Sequence, residues 1–274
     1  MVAVIERMRR EGLELVNAPT EGPGHATEIV RAFLARGAEV VAVCGGDGTV
    51  SEAACGIAGT EVPLAILPGG TSNVLARELE IPIDLDRAAG LLTAGRRKPV
   101  RLFTANDRPF LLWAGVGFDA RVMARAHPWW KRRLGRVGIG LTALSEFARY
   151  EFPRLEVSVD GEAREAATFA VACHARRYAG DWIIAPEASL LSDTVEVLLF
   201  TGENRRQLYR LFQGMRLGDS RHLKDPTARL VRGREVSIRS LERYAVEAHA
   251  DGDAVLETPL TIRPLPDTVA VLVP

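Results

Sequence analysis

The amino-acid sequence predicts an α/β protein of two domains: a layered N-terminal domain built on a parallel sheet, then a mostly antiparallel β domain. Three observations support this. The chain has 274 residues, more than a single hydrophobic core usually holds. Up to about residue 97, strand-like segments alternate with segments of helical periodicity, as in parallel sheets. Beyond that point, strand-like segments predominate.

The N-terminal domain is expected to alternate helices with strands. Apolar residues at helical spacing predict helices over 2–10, 24–36, 50–58 and 72–80. Short apolar runs predict strands over 13–17, 39–44 and 63–67, the last two buried on both faces. Gly37 follows the second helix and is expected to serve as its C-cap.

The second half is expected to be a β domain with helical interruptions. Strands are predicted over 100–104, 109–116, 155–159, 167–174, 195–200, 236–239 and 244–249, and helices over 131–150 and 205–217. A final strand over 269–273 could belong to either domain. We therefore expect one domain over 1–100, which 264–274 could rejoin, and a second over 101–263.

Composition and charge exclude several classes of protein. Lys and Arg number 35 and so do Asp and Glu, so no overall field attracts nucleic acid, and an anionic ligand needs local groups. No apolar run reaches the roughly 18–20 residues of a membrane span, and the N-terminus lacks a signal-peptide core. The three cysteines have no CxxC spacing and indicate buried thiols in a reducing compartment. A cytoplasmic protein is expected.

A first candidate phosphate-binding turn lies where a predicted strand meets a helix. Its glycines allow positive φ and let backbone N–H groups approach a phosphate closely. Thr49 is expected to cap the helix, with Glu52 completing a capping box. Asp47 adds negative charge beside the proposed phosphates, a conflict that a metal ion or metal-bound water would resolve. The turn comprises Gly45, Gly46, Asp47, Gly48 and Thr49; a glycine-rich connection without a ligand is the alternative.

A second turn, from Leu67 to Asn73, follows the next predicted strand and includes Gly70. Thr71 or Ser72 is expected to cap the helix that follows, and Asn73 can offer its amide to a nucleotide. Arg77, four residues beyond Asn73, would lie on the same helical face and could meet a phosphate. Two such turns at neighbouring strand ends predict a phosphate cradle.

Three further motifs leave alternatives open. The segment 115–120 (GVGFDA) fits a dinucleotide fingerprint but lacks the acidic strand end expected about 20 residues later, so a strand-to-helix turn is favoured. The segment 250–253 (ADGD) is favoured as a hairpin turn, with a proton-accepting carboxylate as the alternative. The segment 127–133 (HPWWKRR) could place tryptophans and cations at a membrane interface, or its tryptophans could pack inward.

Taken in order, several of these motifs resemble one known family. Gly45–Thr49, Pro68–Leu79, Gly115–Ala120 and Asp251–Asp253 resemble the diacylglycerol kinase catalytic family, which includes bacterial lipid kinases and sphingosine kinases. The segment 20–26 is similar to the family's threonine-bearing segment. The likeness begins after the first strand and phosphate loop with which family members normally open. It implies an α/β nucleotide-binding domain followed by an antiparallel β-sandwich.

The resemblance also implies an activity: an ATP-dependent lipid kinase of phospholipid biosynthesis, acting on a hydroxyl of diacylglycerol or a sphingoid base. ATP would contact Thr20, the range Gly46–Glu52 and Thr71. Asp253 would be the catalytic base, where the family usually has a glutamate, and Asp251 and Asp47 would be further catalytic carboxylates. Mg²⁺ would bind Asp193 and the carbonyls of Leu190 and Val195.

The expected partners follow from that activity. They are a lipid substrate at a membrane surface and, in a homodimer, a second copy of the chain, but no nucleic acid. The transient membrane contact would involve Trp129, Trp130, Lys131, Arg132 and Arg133. Three other interpretations remain open: an NAD kinase, a sugar kinase with the same short glycine turn, and a nucleotide-binding relative without catalytic activity.

Overall fold

The computed structural model describes residues 2–126, 136–162, 165–218 and 220–274. The chain divides into two compact units, one comprising Met1–Leu102 and Pro266–Pro274, the other Phe103–Leu265. Two strands, Arg96–Ala105 and Leu260–Val273, contribute residues to both units.

The first unit has the layered α/β character that the sequence predicts. Strands β1 (Val41–Gly45) and β2 (Leu64–Pro68) pair in parallel along their whole length. Near the C-terminus, Val271 pairs with Leu64 and adds a further parallel strand. The helices of this unit are α1 (Val2–Arg10), α2 (His25–Ala35), α3 (Asp47–Ile57), α4 (Val74–Glu78), α5 (Leu85–Ala89) and α6 (Leu91–Ala94).

Helices α2 and α3 pack closely because of one small residue. A Cβ on Gly56 of α3 would lie 3.0 Å from both the carbonyl oxygen of Thr27 and the Cβ of Val30 on α2. Helix α2 ends at Ala35 with Arg36 as its C-cap, and Gly37 follows with a φ of 81°, its N–H donating to the carbonyl of Leu34 at 3.0 Å. Gly37 therefore terminates the helix as predicted, but from the position after the C-cap.

Two expectations for the first unit are wrong. Residues 13–17 form no strand, and Val16 is 59% exposed. Strand β1 is not buried on both faces: Val41 and Val43 are buried, whereas Ala42 and Cys44 are exposed. This alternation means that one face of β1 packs on the core and the other is open to solvent. Strand β1 is also the end strand of its sheet, hydrogen-bonded to β2 alone among the described residues.

The second unit is built almost entirely of antiparallel strands. In chain order they are β3 (Arg96–Ala105), β4 (Arg108–Phe110), β5 (Trp113–Val116), β6 (Leu155–Val159), β7 (Glu165–Ala167), β8 (Phe169–Cys173), β9 (Arg177–Tyr178), β10 (Trp182–Ile183), β11 (Val195–Phe200), β12 (Ala228–Gly233), β13 (Val236–Ser240), β14 (Glu247–Ala250), β15 (Asp253–Glu257) and β16 (Leu260–Val273). Its helices are α7 (Phe118–Arg125), α8 (Arg136–Arg149), α9 (Arg205–Leu217) and a 3-10 helix, Arg221–Lys224.

Two of its sheets form a sandwich. One has the strand order β12-β11-β8-β5-β14-β15, and the other contains β16-β13-β6-β7. Their inward side chains make one buried cluster that includes Phe103, Val157 and Ile238 from one sheet and Val116 and Val197 from the other. The antiparallel β-sandwich implied by the resemblance is therefore confirmed.

Helices cover the opposite face of the six-stranded sheet. Phe118 of α7 lies 5.3 Å from the ring of Phe212 on α9 and 6.4 Å from that of Phe147 on α8. Phe169 and Phe200 of the sheet belong to the same buried cluster. Strands β8 and β11 are therefore buried along their whole length, with the sandwich interior on one side and helices on the other.

Some boundaries differ from prediction. The predicted strand 109–116 divides into β4 and β5, because the backbone N–H groups of Leu111 and Leu112 donate to Asp251 instead of a ladder partner. The predicted strand 167–174 divides at Thr168, whose N–H and hydroxyl donate to the carbonyl of Phe200. The predicted strand 244–249 begins only at Glu247.

Candidate functional site

The first glycine turn connects β1 directly to α3. Helix α3 begins at Asp47 with Gly46 as N-cap, and no side chain provides a capping hydrogen bond. The expected capping box of Thr49 and Glu52 is therefore wrong, because both residues lie inside the helix. The carboxylate of Glu52 instead accepts the N–H of Ala26 at 3.3 Å and so ties α3 to the start of α2.

The second glycine turn lies against the first. A Cβ on Gly70 would fall 2.4 Å from the Cα of Gly46 and 3.1 Å from its nitrogen, so the two backbones are in direct contact. The N–H of Gly69 donates to the carbonyl of Gly45 at 3.0 Å, extending the β1–β2 pairing into the turns. The structure thus brings the two predicted turns together, at the carboxyl ends of adjacent parallel strands.

Asn73 shapes the second turn from within. Its side-chain oxygen accepts the N–H of Gly70 at 2.9 Å, and its side-chain nitrogen donates to the carbonyl of the same residue at 2.9 Å. Asn73 itself is the N-cap of α4, with a φ of 48°, so the expected cap from Thr71 or Ser72 is wrong. Arg77 donates through Nε to the carbonyl of Ser72 at 3.1 Å.

Asp47 connects the two turns. Its Oδ1 accepts the N–H of Leu75 in the first turn of α4 at 2.9 Å. A carboxylate at the start of α3 also interacts favourably with the helix dipole. Asp47 therefore holds α3 and α4 in register, a structural contact that the sequence analysis did not anticipate. Thr71 and Gly48 are exposed near this cradle, and Thr20 lies exposed in the irregular segment before α2.

In the second unit, the segment 250–253 forms a two-residue hairpin turn between β14 and β15. Asp251 and Gly252 have φ values of 50° and 86°, as a type I′ turn requires. The carboxylate of Asp251 accepts the backbone N–H groups of Leu111, Leu112 and Trp113 at 2.7, 2.9 and 3.1 Å. These bonds give Asp251 a structural role, and its expected catalytic role stays a prediction. Asp253 follows as the first residue of β15, where the structure describes its backbone.

A buried pair of side chains, His249 and Asp119, is hydrogen-bonded to this hairpin turn. His249 of β14 and Asp119 of α7 are 2% and 3% exposed, and His249 Nε2 lies 2.8 Å from Asp119 Oδ2. The N–H of Gly252 donates to His249 Nδ1 at 3.1 Å. Since Nδ1 accepts, the ring proton is on Nε2 and points to Asp119. The sequence analysis missed this pair, and a histidine two residues before an Asp-Gly turn was the one local signal for it.

A tyrosine hydroxyl also contacts Asp119. The hydroxyl of Tyr178 donates to Asp119 Oδ2 at 3.4 Å, and burial together with this carboxylate raises the tyrosine pKa well above its usual value.

The segment 115–120 forms the strand-to-helix turn that was favoured: β5 ends at Val116, Gly117 has a φ of 103°, and α7 begins at the next residue.

The resemblance implies a magnesium site at Asp193 and two backbone carbonyls. The carboxylate of Asp193 lies 3.2 Å from the guanidinium of Arg234 in a solvent-exposed ion pair. The other two predicted ligands are the carbonyl oxygens of Leu190 and Val195, a ligand type that hard cations accept. Within the described ranges, no three His, Cys, Asp or Glu side chains converge as metal ligands would. Magnesium binding at Asp193 stays a prediction.

The expected membrane contact through Trp129, Trp130, Lys131, Arg132 and Arg133 lies outside the described residues. Within the described ranges, every helix falls short of the length and apolar character that a bilayer crossing would require.

Touching glycine turns on a parallel sheet, followed in the chain by an antiparallel β-sandwich, define the class of the protein: a two-domain α/β and β-sandwich protein with a candidate phosphate-binding site. Comparison with known proteins narrows this class. The family model for the diacylglycerol kinase catalytic domain matches residues 2–105, and the model for the YegS C-terminal NAD kinase beta sandwich-like domain matches residues 113–273.

Individual relatives agree with the family models. The chain is 29% identical over 279 residues to the diacylglycerol kinase of Mycobacterium tuberculosis (strain CDC 1551 / Oshkosh), covering 98% of this chain and 88% of the relative. It is 32% identical over 198 residues to a YegS-like lipid kinase of Pseudomonas aeruginosa (strain UCBPP-PA14), covering 71% and 65%. A crystal structure from Bacillus anthracis str. Sterne, assigned as a diacylglycerol kinase, superposes with a TM-score of 0.72 at 25% identity, covering 93% and 84%.

The chain belongs to the diacylglycerol kinase catalytic-domain family. It is a lipid kinase, a phosphotransferase with an alcohol group as acceptor. The comparisons do not favour the NAD kinase alternative.

Proposed function

We propose that this chain transfers the γ-phosphoryl group of ATP to a hydroxyl group of a membrane lipid, diacylglycerol or a sphingoid base. The observation that carries the proposal is the contact between Gly46 and Gly70. It places two glycine turns side by side at the ends of parallel strands, where backbone N–H groups can cradle a chain of phosphates.

The proposed nucleotide-binding residues are the first glycine turn together with Gly70 and Thr71. Phosphoryl transfer demands little covalent chemistry from a protein, so positioning and charge neutralisation account for most of the catalysis. ATP enters as its magnesium complex, which is the form of the nucleotide that phosphoryl-transfer enzymes generally use as substrate. Asn73 supports the cradle indirectly, by holding Gly70 in place. Arg77 supplies positive charge beside the second turn.

For the acceptor hydroxyl, we assign the role of general base to Asp253. A carboxylate that accepts the hydroxyl proton contributes about 10²–10⁴-fold to such reactions. The bonds from Asp251 to three backbone N–H groups support this assignment, since they anchor the hairpin that carries Asp253. The lipid acceptor also leads us to infer a cytoplasmic protein that associates transiently with membranes.

The test is an acceptor panel with radiolabelled ATP and the purified full-length chain. Diacylglycerol, sphingosine and NAD are offered in parallel, the lipids in mixed micelles. We expect label in a lipid product. Label in NADP alone would refute the proposal, and ATP binding without turnover on any lipid would identify a non-catalytic relative instead.

A matched pair of variants tests the assignment of Asp253. Asp253→Asn is expected to lower kcat at least about 100-fold, because the amide cannot accept the proton. Asp107→Asn alters an exposed aspartate in another hairpin turn, between β3 and β4, and is expected to keep wild-type kcat. Equal rates for Asp253→Asn and the wild type would remove Asp253 from the mechanism.

A further inference from the structure

The outward face of α8 is apolar and open to solvent. Val137, Leu141 and Leu144 follow one another at helical spacing and are 65%, 48% and 68% exposed. Gly140 and Ala148 share this face and are also exposed. None of these positions carries a charge. Single exposed apolar residues are ordinary on protein surfaces, but a continuous uncharged stripe along a helix indicates a binding surface.

The orientation of α8 is set by its other face. Phe147 stacks edge-on against Phe118 of α7 at 6.4 Å. Glu146, 5% exposed, accepts the Nε–H of Arg121 at 2.7 Å and lies 3.5 Å from Arg125 Nε. Turning the apolar stripe inward would break these buried contacts, so the stripe faces outward in the folded unit.

The charge around the stripe is positive. Glu146 is the one acidic residue of α8 and is neutralised internally, whereas Arg149 at the helix end is 68% exposed in its side chain.

Helix α9 extends this basic character. It contains four arginines and no acidic residue. Arg205 joins α9 to the end of α8 by donating to the carbonyls of Phe147 and Ala148 at 3.1 and 2.7 Å. Arg206 and Tyr209 follow on its exposed side, Tyr209 with 55% exposure. A tyrosine beside arginines is a combination typical of membrane interfaces.

We propose that the outward face of α8 docks on an anionic lipid bilayer, with Val137, Leu141 and Leu144 entering the headgroup region and the neighbouring arginines facing lipid phosphates. Interfacial helices bind in this way, through buried apolar area plus attraction to anionic lipid. The inference rests on the proposed function for its choice of lipid as partner. It explains how a protein whose described helices cannot cross a bilayer reaches an acceptor held there.

Vesicle sedimentation of the full-length chain tests this surface without measuring catalysis. The test variant is Leu141→Gln/Leu144→Gln, which keeps helix propensity and disturbs no buried contact. The matched control is Ile83→Gln/Leu241→Gln, which removes two apolar residues of 43% and 45% exposure elsewhere. On phosphatidylglycerol vesicles, we expect the test variant to bind at least about tenfold more weakly and the control to bind like the wild type.

The following results would contradict the proposed docking face or limit what the experiment shows. Wild-type binding that persists on phosphatidylcholine and in 0.5 M NaCl (about a 4 Å screening length) would refute the proposed electrostatic attraction between the arginines and anionic lipid. Equal binding by the test variant and the wild type would refute the docking face. A wild-type dimer in sedimentation velocity that the test variant loses would make a second copy the occupant, which also overturns the proposal. Lack of kinase activity in the acceptor panel would reject the proposed function, and the vesicle result would still stand.

A different observation carries a second inference, which concerns His249. Its two ring nitrogens serve two neighbours: Nε2 donates to the buried Asp119, and Nδ1 accepts the N–H of Gly252 in the hairpin turn. Asp119 is itself held, since its Oδ1 accepts the N–H of Ala120 at 2.8 Å. A chain of hydrogen bonds therefore runs from the start of α7 to the residue immediately before Asp253.

We infer that His249 is a positioning residue for the proposed base, acting through the Gly252 N–H. Displacing a reacting group by about 1 Å can cost about 10²-fold in rate. The hairpin is fixed on one side by Asp251 and on the other by His249. The inference rests on the proposed role of Asp253.

Two substitutions test the two hydrogen bonds of His249 one at a time. In His249→Asn the side-chain oxygen can take the place of Nδ1 and accept from Gly252, whereas in His249→Gln the amide nitrogen can take the place of Nε2 and donate to Asp119. We expect His249→Gln to lower kcat at least about tenfold with the KM for ATP unchanged. We expect His249→Asn to retain kcat within about threefold, even if it melts at a lower temperature.

Hydrogen exchange at the Gly252 amide gives a readout that needs no activity. We expect protection in the wild type and in His249→Asn, and its loss in His249→Gln. Equal impairment of kcat in both variants, or protection of Gly252 in His249→Gln, would reduce His249 to a packing role and overturn the inference. If the wild type phosphorylates no lipid, the proposed function fails, while the exchange result still decides whether this bond holds the turn.

Discussion

The contact between the two glycine turns makes Gly70→Ala the most informative single substitution. The added carbon would fall 2.4 Å from the Cα of Gly46 and 2.9 Å from the side-chain oxygen of Asn73. Carbon atoms in contact lie at about 3.5–4.0 Å, so the turns must separate by about 1 Å. Neither obstacle can give way easily, because one is backbone and the other is held by two hydrogen bonds to Gly70.

The structure sets the magnitude of the effect. Overpacking of this kind costs about 1–3 kcal/mol. Loss of a hydrogen bond in the turn adds about 0.5–1.5 kcal/mol. For a unit of about 110 residues, each kcal/mol lowers Tm by about 4 °C. We therefore expect the transition of the first unit to shift down by about 6–18 °C in calorimetry, and the affinity for an ATP analogue to fall at least about tenfold.

Gly48→Ala is the matched control for stability. It is the same chemical change in the same segment, but a Cβ there meets nothing within 4 Å, and the residue lies inside α3 with helical geometry. Alanine is a better helix former than glycine by about 0.5–1 kcal/mol, so Tm should not fall. If Gly70→Ala melts within 1–2 °C of the wild type and binds nucleotide normally, the close approach of the turns is refuted (about 0.5 kcal/mol at most).

Three further changes probe the second unit. Asp251→Ala leaves three backbone N–H groups without their acceptor and is expected to destabilise the unit by about 1–3 kcal/mol in denaturant unfolding, whereas no loss would contradict its anchoring role. Gly117→Ala adds a Cβ 2.6 Å from the hydroxyl of Tyr150 at a φ of 103°, so a loss of at least about 1 kcal/mol is expected, and an unchanged midpoint would count against this geometry. Burial lowers the pKa of His222 in the folded state, so its contribution is complete above the unfolded pKa of about 6.5 and is lost as the pH falls below it. The unfolding midpoint of His222→Gln should therefore change less between pH 7.5 and 5 than that of the wild type. Identical pH dependence of the two midpoints would show that His222 does not contribute to it.

Local pattern was sufficient wherever local physics dominates. The bounds of β6, β11 and α9 match the predicted ranges, because alternation or an uninterrupted apolar run continues up to a clear polar boundary. Both glycine turns were located because each follows an apolar strand and precedes helical spacing. The fold class follows from the same signals, since alternating strands and helices leave few topologies.

Prediction failed where a distant residue supplies the partner. Thr49 and Glu52 satisfy the pattern of a capping box, yet Glu52 reaches Ala26, 26 residues earlier in the chain. Asp251 fits a turn by its local sequence, but the amides that it accepts lie about 140 positions away. A window along the sequence carries no information about such pairings.

The sequence was enough to establish a layered α/β unit followed by an antiparallel β unit, the positions of the two glycine turns and the family likeness, because periodicity and glycine chemistry are local properties. Only the tertiary structure decided what the conspicuous carboxylates do. Asp47 holds α4, Asp251 holds the strand break before β5, and Asp119 is buried against His249. The role of a carboxylate depends on the hydrogen-bond donors around it, and those donors come from segments that meet only when the chain folds.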